Sequence, residues 1–183
     1  NEPLGALDKK LREQMQLEIR RLHQRIEATI IYVTHDQDEA LTMSDRIGVF
    51  RDGRVDQVGT PDELYNKPKT RFVADFIGQT NLLDGKVSSV SGGSCRVEAS
   101  SFDFQVDSAP GVSAGEQVCV SLRPERIKVG DPRAEAPTNC NSVTGVVEET
   151  VFFGASRRYL VRIGDTKLAV SQTIQGHDVP NFG

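Results

Sequence analysis

The spacing of apolar residues changes near residue 80, and this change sets what the chain can build. Before it, Leu7, Leu11, Met15, Ile19, Leu22 and Ile26 recur every three or four positions, which places them on one stripe of a helix. After it, short runs of β-branched and apolar residues alternate with Gly, Asp and Ser turns, and no helical period intervenes. Two periods in separate halves require two cores, and 183 residues suffice for two domains. The expected division is residues 1–79 and 80–183.

In the first half, Asp8 is the expected N-cap of a long amphipathic helix running to about Ile26. Thr29-Ile30-Ile31-Tyr32-Val33 reads as a short, continuously apolar strand of the kind buried in a parallel sheet. Asp36-Gln37-Asp38-Glu39 has the form of a capping box opening a helix to about Met43. Arg46 to Phe50 and Val55 to Val58 flank the turn Asp52-Gly53 as a hairpin. Thr60-Pro61-Asp62-Glu63 starts a helix that stops before Pro68, and Thr70 caps another that Gly78 ends. Helices interleaved with a buried strand give an α/β class for this half.

The second half holds strand-like runs at Lys86 to Val90, Cys95 to Ala99, Phe102 to Val106, Gln117 to Leu122, Gly145 to Val151, Tyr159 to Ile163 and Leu168 to Val170. Such a series without helices predicts a small barrel or sandwich. An internal repeat runs through it: Asn81, Gly85 and Val87 recur sixty positions later as Asn141, Gly145 and Val147, and Pro110 to Gly115 resembles Pro180 to Gly183. The first copy continues past Gly115 into Glu116-Gln117-Val118-Cys119-Val120, so the second is expected to lack its last strand.

Composition narrows the function classes. The net charge of −4 and the absence of Trp leave no basic, ring-lined footprint for nucleic acid. Phe102, Phe104, Phe152, Phe153 and Tyr159 alternate as core residues do. Cys95, Cys119 and Cys140 are odd in number and widely spaced, which indicates neither a disulfide framework nor a zinc site. No run approaches the roughly 18 apolar residues of a membrane span, and Asn1-Glu2-Pro3-Leu4-Gly5 has no signal-peptide character. A cytoplasmic location is expected, with any membrane contact made through a partner.

Three segments carry chemistry, and each also has a plain structural reading. Asn1 to Asp8 could serve only as a helix lead-in. Tyr32-Val33-Thr34-His35-Asp36 places a histidine between a strand and a helix, the edge of an α/β sheet where ligands bind. Arg123-Pro124-Glu125-Arg126-Ile127 is a charged turn between strands. Taken in order, an acidic motif, one helix, one strand and then Thr-His-Asp resemble the second half of the ATPase of an ABC import system. Gln37 to Ile47, Asp52-Gly53-Arg54-Val55 and Gly59-Thr60-Pro61 extend that resemblance. Phe72 to Gly78 resembles the segment joining that domain to the C-terminal domain of sugar, polyamine and ferric-ion importers. The rest looks like their TOBE domain, and Asn81-Leu82-Leu83 is most similar to the polyamine or ferric-ion group.

The resemblance implies an α/β remnant of a P-loop-type nucleotide-binding domain followed by an all-β, OB-like TOBE domain. It implies that Glu2 is the general base that polarises the attacking water, and that His35 contacts the γ-phosphate. An imidazole that donates to a phosphoryl oxygen suits a transfer dominated by positioning and electrostatics. Leu4, Gly5, Ala6, Leu7 and Asp8 match the loop that crosses the dimer interface, and Arg123, Pro124 and Glu125 fall in the regulatory domain. Asn1 stands where the family has the aspartate of the Mg²⁺ shell. Either the residue is substituted or it is a cloning remnant, so metal binding through Asn1 is in doubt.

The G-x-x-x-x-G-K-[ST] loop, the Gln loop and the LSGGQ-type signature do not occur in these 183 residues. ATP and Mg²⁺ are therefore expected in an intact parent, with none bound to this chain alone, which should neither hydrolyse ATP nor bury the apolar surface around Ile31. The implied partners are a second copy of the subunit and integral membrane permease subunits, placing the parent at the inner face of the cell membrane. The alternative is a TOBE-like small-molecule or protein-binding regulatory module.

Overall fold

The computed structural model describes residues 7–26, 28–99, 102–134, 137–138 and 140–174. The chain divides into two compact units, Asn1–Gly78 and Gln79–Gly183.

The first unit opens with helix α1, Lys9–Ile26. Asp8 caps it, its Oδ1 accepting from the Leu11 amide at 3.0 Å. Only Gln16 of α1 is buried; Leu11, Met15, Leu22 and Ile26 of the expected stripe are exposed. Helix α2, Gln37–Met43, follows its N-cap Asp36, which accepts from the amides of Asp38 and Glu39. Strands β1, Ile47–Arg51, and β2, Arg54–Gly59, form an antiparallel hairpin. Asp52 and Gly53 both have positive φ, 49° and 75°, the two-residue turn whose twist matches the strands.

Thr60 and Glu63 complete a reciprocal capping box on helix α3, Pro61–Asn66, and Thr70 caps helix α4, Arg71–Phe76. Ile47, Val49, Leu64, Val73 and Ile77 make the core of this unit. The buried Gln57 side chain pins the α3–α4 connection, donating to the Lys67 carbonyl at 3.2 Å and accepting from the Lys69 amide at 2.8 Å.

Two expectations for this unit are corrected. Residues 29–33 form no strand. Ile31 and Val33 are 88% and 83% exposed, because none of the described residues pairs with this segment, and a strand without a ladder partner leaves its amides and carbonyls unpaired. Asp36–Glu39 is only half a capping box. The Glu39 carboxylate is engaged elsewhere, and the Asp36 amide donates instead to Thr34 Oγ1 at 2.9 Å.

Among the described residues the second unit is all β apart from one 3₁₀ turn, Pro124–Arg126. One sheet has the order β5-β4-β3-β6, built from β3 (Asn81–Ser91), β4 (Ser94–Ala99), β5 (Phe102–Asp107) and β6 (Gln117–Leu122). The other has the order β7-β8-β9, from β7 (Val146–Phe152), β8 (Ser156–Ile163) and β9 (Thr166–Thr173). Every described pairing is antiparallel. Leu83, Val87, Cys95, Val97 and Phe104 of the first sheet share one core with Ile163 and Leu168 of the second.

The sixty-residue repeat is physical. Register slips between Val87 and Ser89 in the β3–β4 pair, and between Val147 and Glu149 in the β7–β8 pair. A Cβ on Gly85 would lie 2.6 Å from Val97 Cγ1, and one on Gly145 would lie 2.7 Å from Val161 Cγ1, so each copy needs a glycine where the neighbouring strand crosses closely. The two asparagines form crossed pins. The Asn81 side chain bonds the amide and carbonyl of Ala169 at 2.7 and 2.9 Å, and Asn141 bonds those of Gln105, both at 2.8 Å. Each copy thus fastens its lead-in to the third strand of the other. In the first copy β6 pairs with β3; the matching position in the second, with Pro180 to Gly183, lies outside the described residues.

The aromatic expectation holds in part. Phe104 and Tyr159 are buried, but Phe152 and Phe153 are 65% and 53% exposed. They stand where β7 turns into β8 around Gly154, and the Arg158 guanidinium lies 4.4 Å from the Phe153 ring centroid.

Candidate functional site

Of the residues expected to carry catalysis, Asn1, Glu2, Leu4, Gly5 and Ala6 lie outside the described residues. Leu7 and Asp8 are described at the entry to α1. Asp8 caps the helix, and the Leu7 carbonyl accepts from Arg12 Nη2 at 3.1 Å.

His35 sits at a bend between the irregular segment 28–34 and α2. Burial alternates along this segment: Ile31, Val33 and His35 are exposed, while Tyr32 and Thr34 are partly covered. Tyr32 and Thr34 turn toward Glu39, and the imidazole at the bend stays on the open side. The covered face is held by a carboxylate. Glu39, 2% exposed, accepts through Oε2 from the Tyr32 hydroxyl at 2.9 Å and from Thr34 Oγ1 at 3.0 Å. Burial of a carboxylate is costly without such donors.

Helix α2 is also braced against α1 at both of its ends. Arg12 Nη1 lies 3.6 Å from Asp36 Oδ2, and Arg20 Nη1 donates to the Thr42 carbonyl at 2.7 Å. Gln37 Oε1 accepts from the Gly78 amide at 2.9 Å, tying α2 to the end of the unit. Residues on either side of His35 are therefore anchored.

Among the described residues no group of three or more His, Cys, Asp or Glu side chains could hold a metal ion. These residues alone fit neither a resident Mg²⁺ nor the full set of contacts a nucleoside triphosphate needs. His35 fits one such contact, as a donor to an anionic oxygen. No helix among the described residues is long and apolar enough to cross a membrane.

In the second unit, Arg123 is 4% exposed and donates from Nη1 to the Gln79 carbonyl at 3.1 Å. Pro124 is buried and Glu125 exposed on the 3₁₀ turn, which packs on β9. A second charged cluster sits at the β7 bulge. Glu148 contacts Lys167 Nζ at 2.7 Å and Arg162 Nε at 2.6 Å, and these hydrogen bonds, the Lys167 one foremost, hold its carboxyl below the usual glutamate range.

Sequence reasoning missed the role of Glu39, because its spacing from Asp36 matched a capping box. The signal that could have found it is the pair of hydroxyls Tyr32 and Thr34, two residues apart just before the helix that carries Glu39.

The TOBE domain family model matches residues 120–183. The chain is 43% identical over 173 residues to the spermidine/putrescine import ATP-binding protein PotA of Thermobifida fusca, covering 94% of this chain and 44% of that protein. It is 48% identical over 168 residues to the protein of the same name from Rubrobacter xylanophilus, covering 90% of this chain and 43% of that one. It is 40% identical over 177 residues to spermidine/putrescine import ATP-binding protein PotA 1 of Pseudomonas aeruginosa, covering 96% and 46%. The chain thus spans less than half the length of these curated relatives and corresponds to their C-terminal part.

Proposed function

We propose that this chain, similar through both of its units to the C-terminal part of import ATP-binding proteins, belongs to the energy-coupling ATPase subunit of an ABC importer whose cargo is a polyamine. The observation that carries the reading is the continuity of the match. It covers 90% or more of the chain in relatives named for spermidine/putrescine import, so it takes in the His35 segment and the β unit together. In this reading residues 1–79 are the end of a P-loop-type nucleotide-binding domain, and residues 80–183 are a TOBE domain with Arg123, Pro124 and Glu125 in a regulatory role.

Glu2 polarises the attacking water, His35 donates to the γ-phosphate, and Leu4 to Asp8 meet a second copy of the subunit across the dimer. ATP and Mg²⁺ act in the intact polypeptide, which works on the inner face of the membrane through permease subunits. The exposure of His35 beside Ile31 and Val33 supports this, since a catalytic imidazole must be open to its substrate.

The test is ATP-driven uptake in vesicles reconstituted with the intact polypeptide and its permease. Spermidine or putrescine uptake that depends on ATP is expected. Uptake of a sugar or ferric ion in place of polyamine would overturn the cargo, and ATP-independent uptake would overturn the subunit's role.

A further inference from the structure

We propose that Glu39 is the positioning residue of His35, acting through Tyr32 and Thr34; the catalytic consequence rests on the reading of His35 given above, whereas the positioning itself does not. The chemistry of the donors gives the network one direction. The Tyr32 and Thr34 hydroxyls both donate to Glu39 Oε2, at 2.9 and 3.0 Å, and their protons are committed there. With its proton committed, Thr34 Oγ1 has a lone pair for the Asp36 amide, at 2.9 Å. Asp36 in turn accepts from the Asp38 and Glu39 amides at 2.9 and 3.1 Å. The chain of bonds runs from Asp36 N–H through Thr34 to Glu39, and it encloses His35 between two fixed neighbours.

Because Thr34 and Asp36 are both held, and to each other, the bend at His35 between them is held with the residue on the open side. An unanchored segment without ladder partners would lose this bend, and with it the direction of the ring. Glu39 does not touch the reacting atoms. It sets the place from which His35 meets them.

The experiment has two arms, using Glu39→Ala, Glu39→Gln and Tyr32→Phe. In the 183-residue chain, amide exchange and the His35 ring resonances are followed by NMR, with the Thr70-capped helix α4 as an internal standard of folding. Glu39→Ala is expected to speed exchange at the Asp36 amide by about tenfold or more and to shift the His35 ring signals, while α4 stays as it was. Tyr32→Phe is expected to do so less, and Glu39→Gln, whose amide oxygen can still accept, least.

In the intact polypeptide, Glu39→Ala is expected to lower kcat for ATP by up to about 100-fold, as a displaced catalytic group does, with KM within about twofold. Glu39→Gln should restore most of that loss. An unchanged Asp36 amide and His35 ring in Glu39→Ala would overturn the proposal. If those signals move while His35→Ala still turns over at the wild-type rate, the positioning stands and the reading of His35 falls.

Discussion

In the second unit the apolar side chains on the facing sides of the two sheets find cover, although Phe152 and Phe153 at the β7–β8 turn do not, whereas along α1 and the segment after it most are exposed. Val87 and Val97 are each 1% exposed and Leu168 3%, while Leu22 is 54% exposed and Ile31 88%. Hydrophobicity does not separate these residues; geometry does. The β unit closes on itself because two copies of one motif place their inner faces against each other and cross-link through Asn81 and Asn141. Helix α1 of the first unit has an apolar stripe of the right period, but only its Gln16 is buried. An apolar stripe left open needs a further surface against it, and in the proposed function that surface is the rest of a nucleotide-binding domain.

Substitutions sharpen this contrast, and the greatest effect belongs in the shared β core. Phe104→Ala should destabilise the second unit by about 3 to 5 kcal/mol, read from denaturant-dependent exchange at the Val97 amide. A loss below about 1 kcal/mol would mean the core is looser than its burial implies. Next comes the crossed pin. Asn81→Ala strips three hydrogen bonds from a buried position and should cost about 1 to 3 kcal/mol, and Asn141→Ala, at an exposed one, about 1 kcal/mol or less. Equal costs would break the idea that the first pin lies deeper than the second.

On the open stripe, Leu22→Ala should change the stability of this chain by no more than about 0.5 kcal/mol. A cost like that of Phe104→Ala would show that α1 is covered after all. The smallest effect is electrostatic. Because the folded pKa of Glu148 is depressed, its contribution is present above the ordinary glutamate value of about 4.3. That contribution is lost as pH falls through the lower folded value. Glu148→Gln should therefore melt slightly below the wild type at neutral pH, by a salt-sensitive margin that closes in acid. A margin that widens in acid would contradict the pairing.

Local chemistry was the legible part of the fold. The Thr60 and Thr70 caps, the Asp52-Gly53 turn and the alternating strands are each decided within a few residues, so their sequence signals survive into the structure. The repeat of Asn81, Gly85 and Val87 was legible as spacing, but its meaning was not, since crossed pins join residues 88 and 36 positions apart. The segment 29–33 misled for a related reason. Its apolar run has the composition of a buried strand, and strand formation depends on partners that local sequence cannot supply. At the candidate site His35 stands out as a candidate from its neighbours in the sequence, whereas the contacts of Glu39 were hidden by a spacing that fits two roles.

The central claim, that His35 is a phosphate-contacting group of an import ATPase, is tested most directly by His35→Ala in the intact polypeptide with its permease. With ATP saturating, hydrolysis should fall by about 100-fold or more, as when a transition-state hydrogen-bond donor is removed, while ATP binding measured by equilibrium titration stays within about threefold. Hydrolysis at the wild-type rate, with the same ATP affinity, would contradict it.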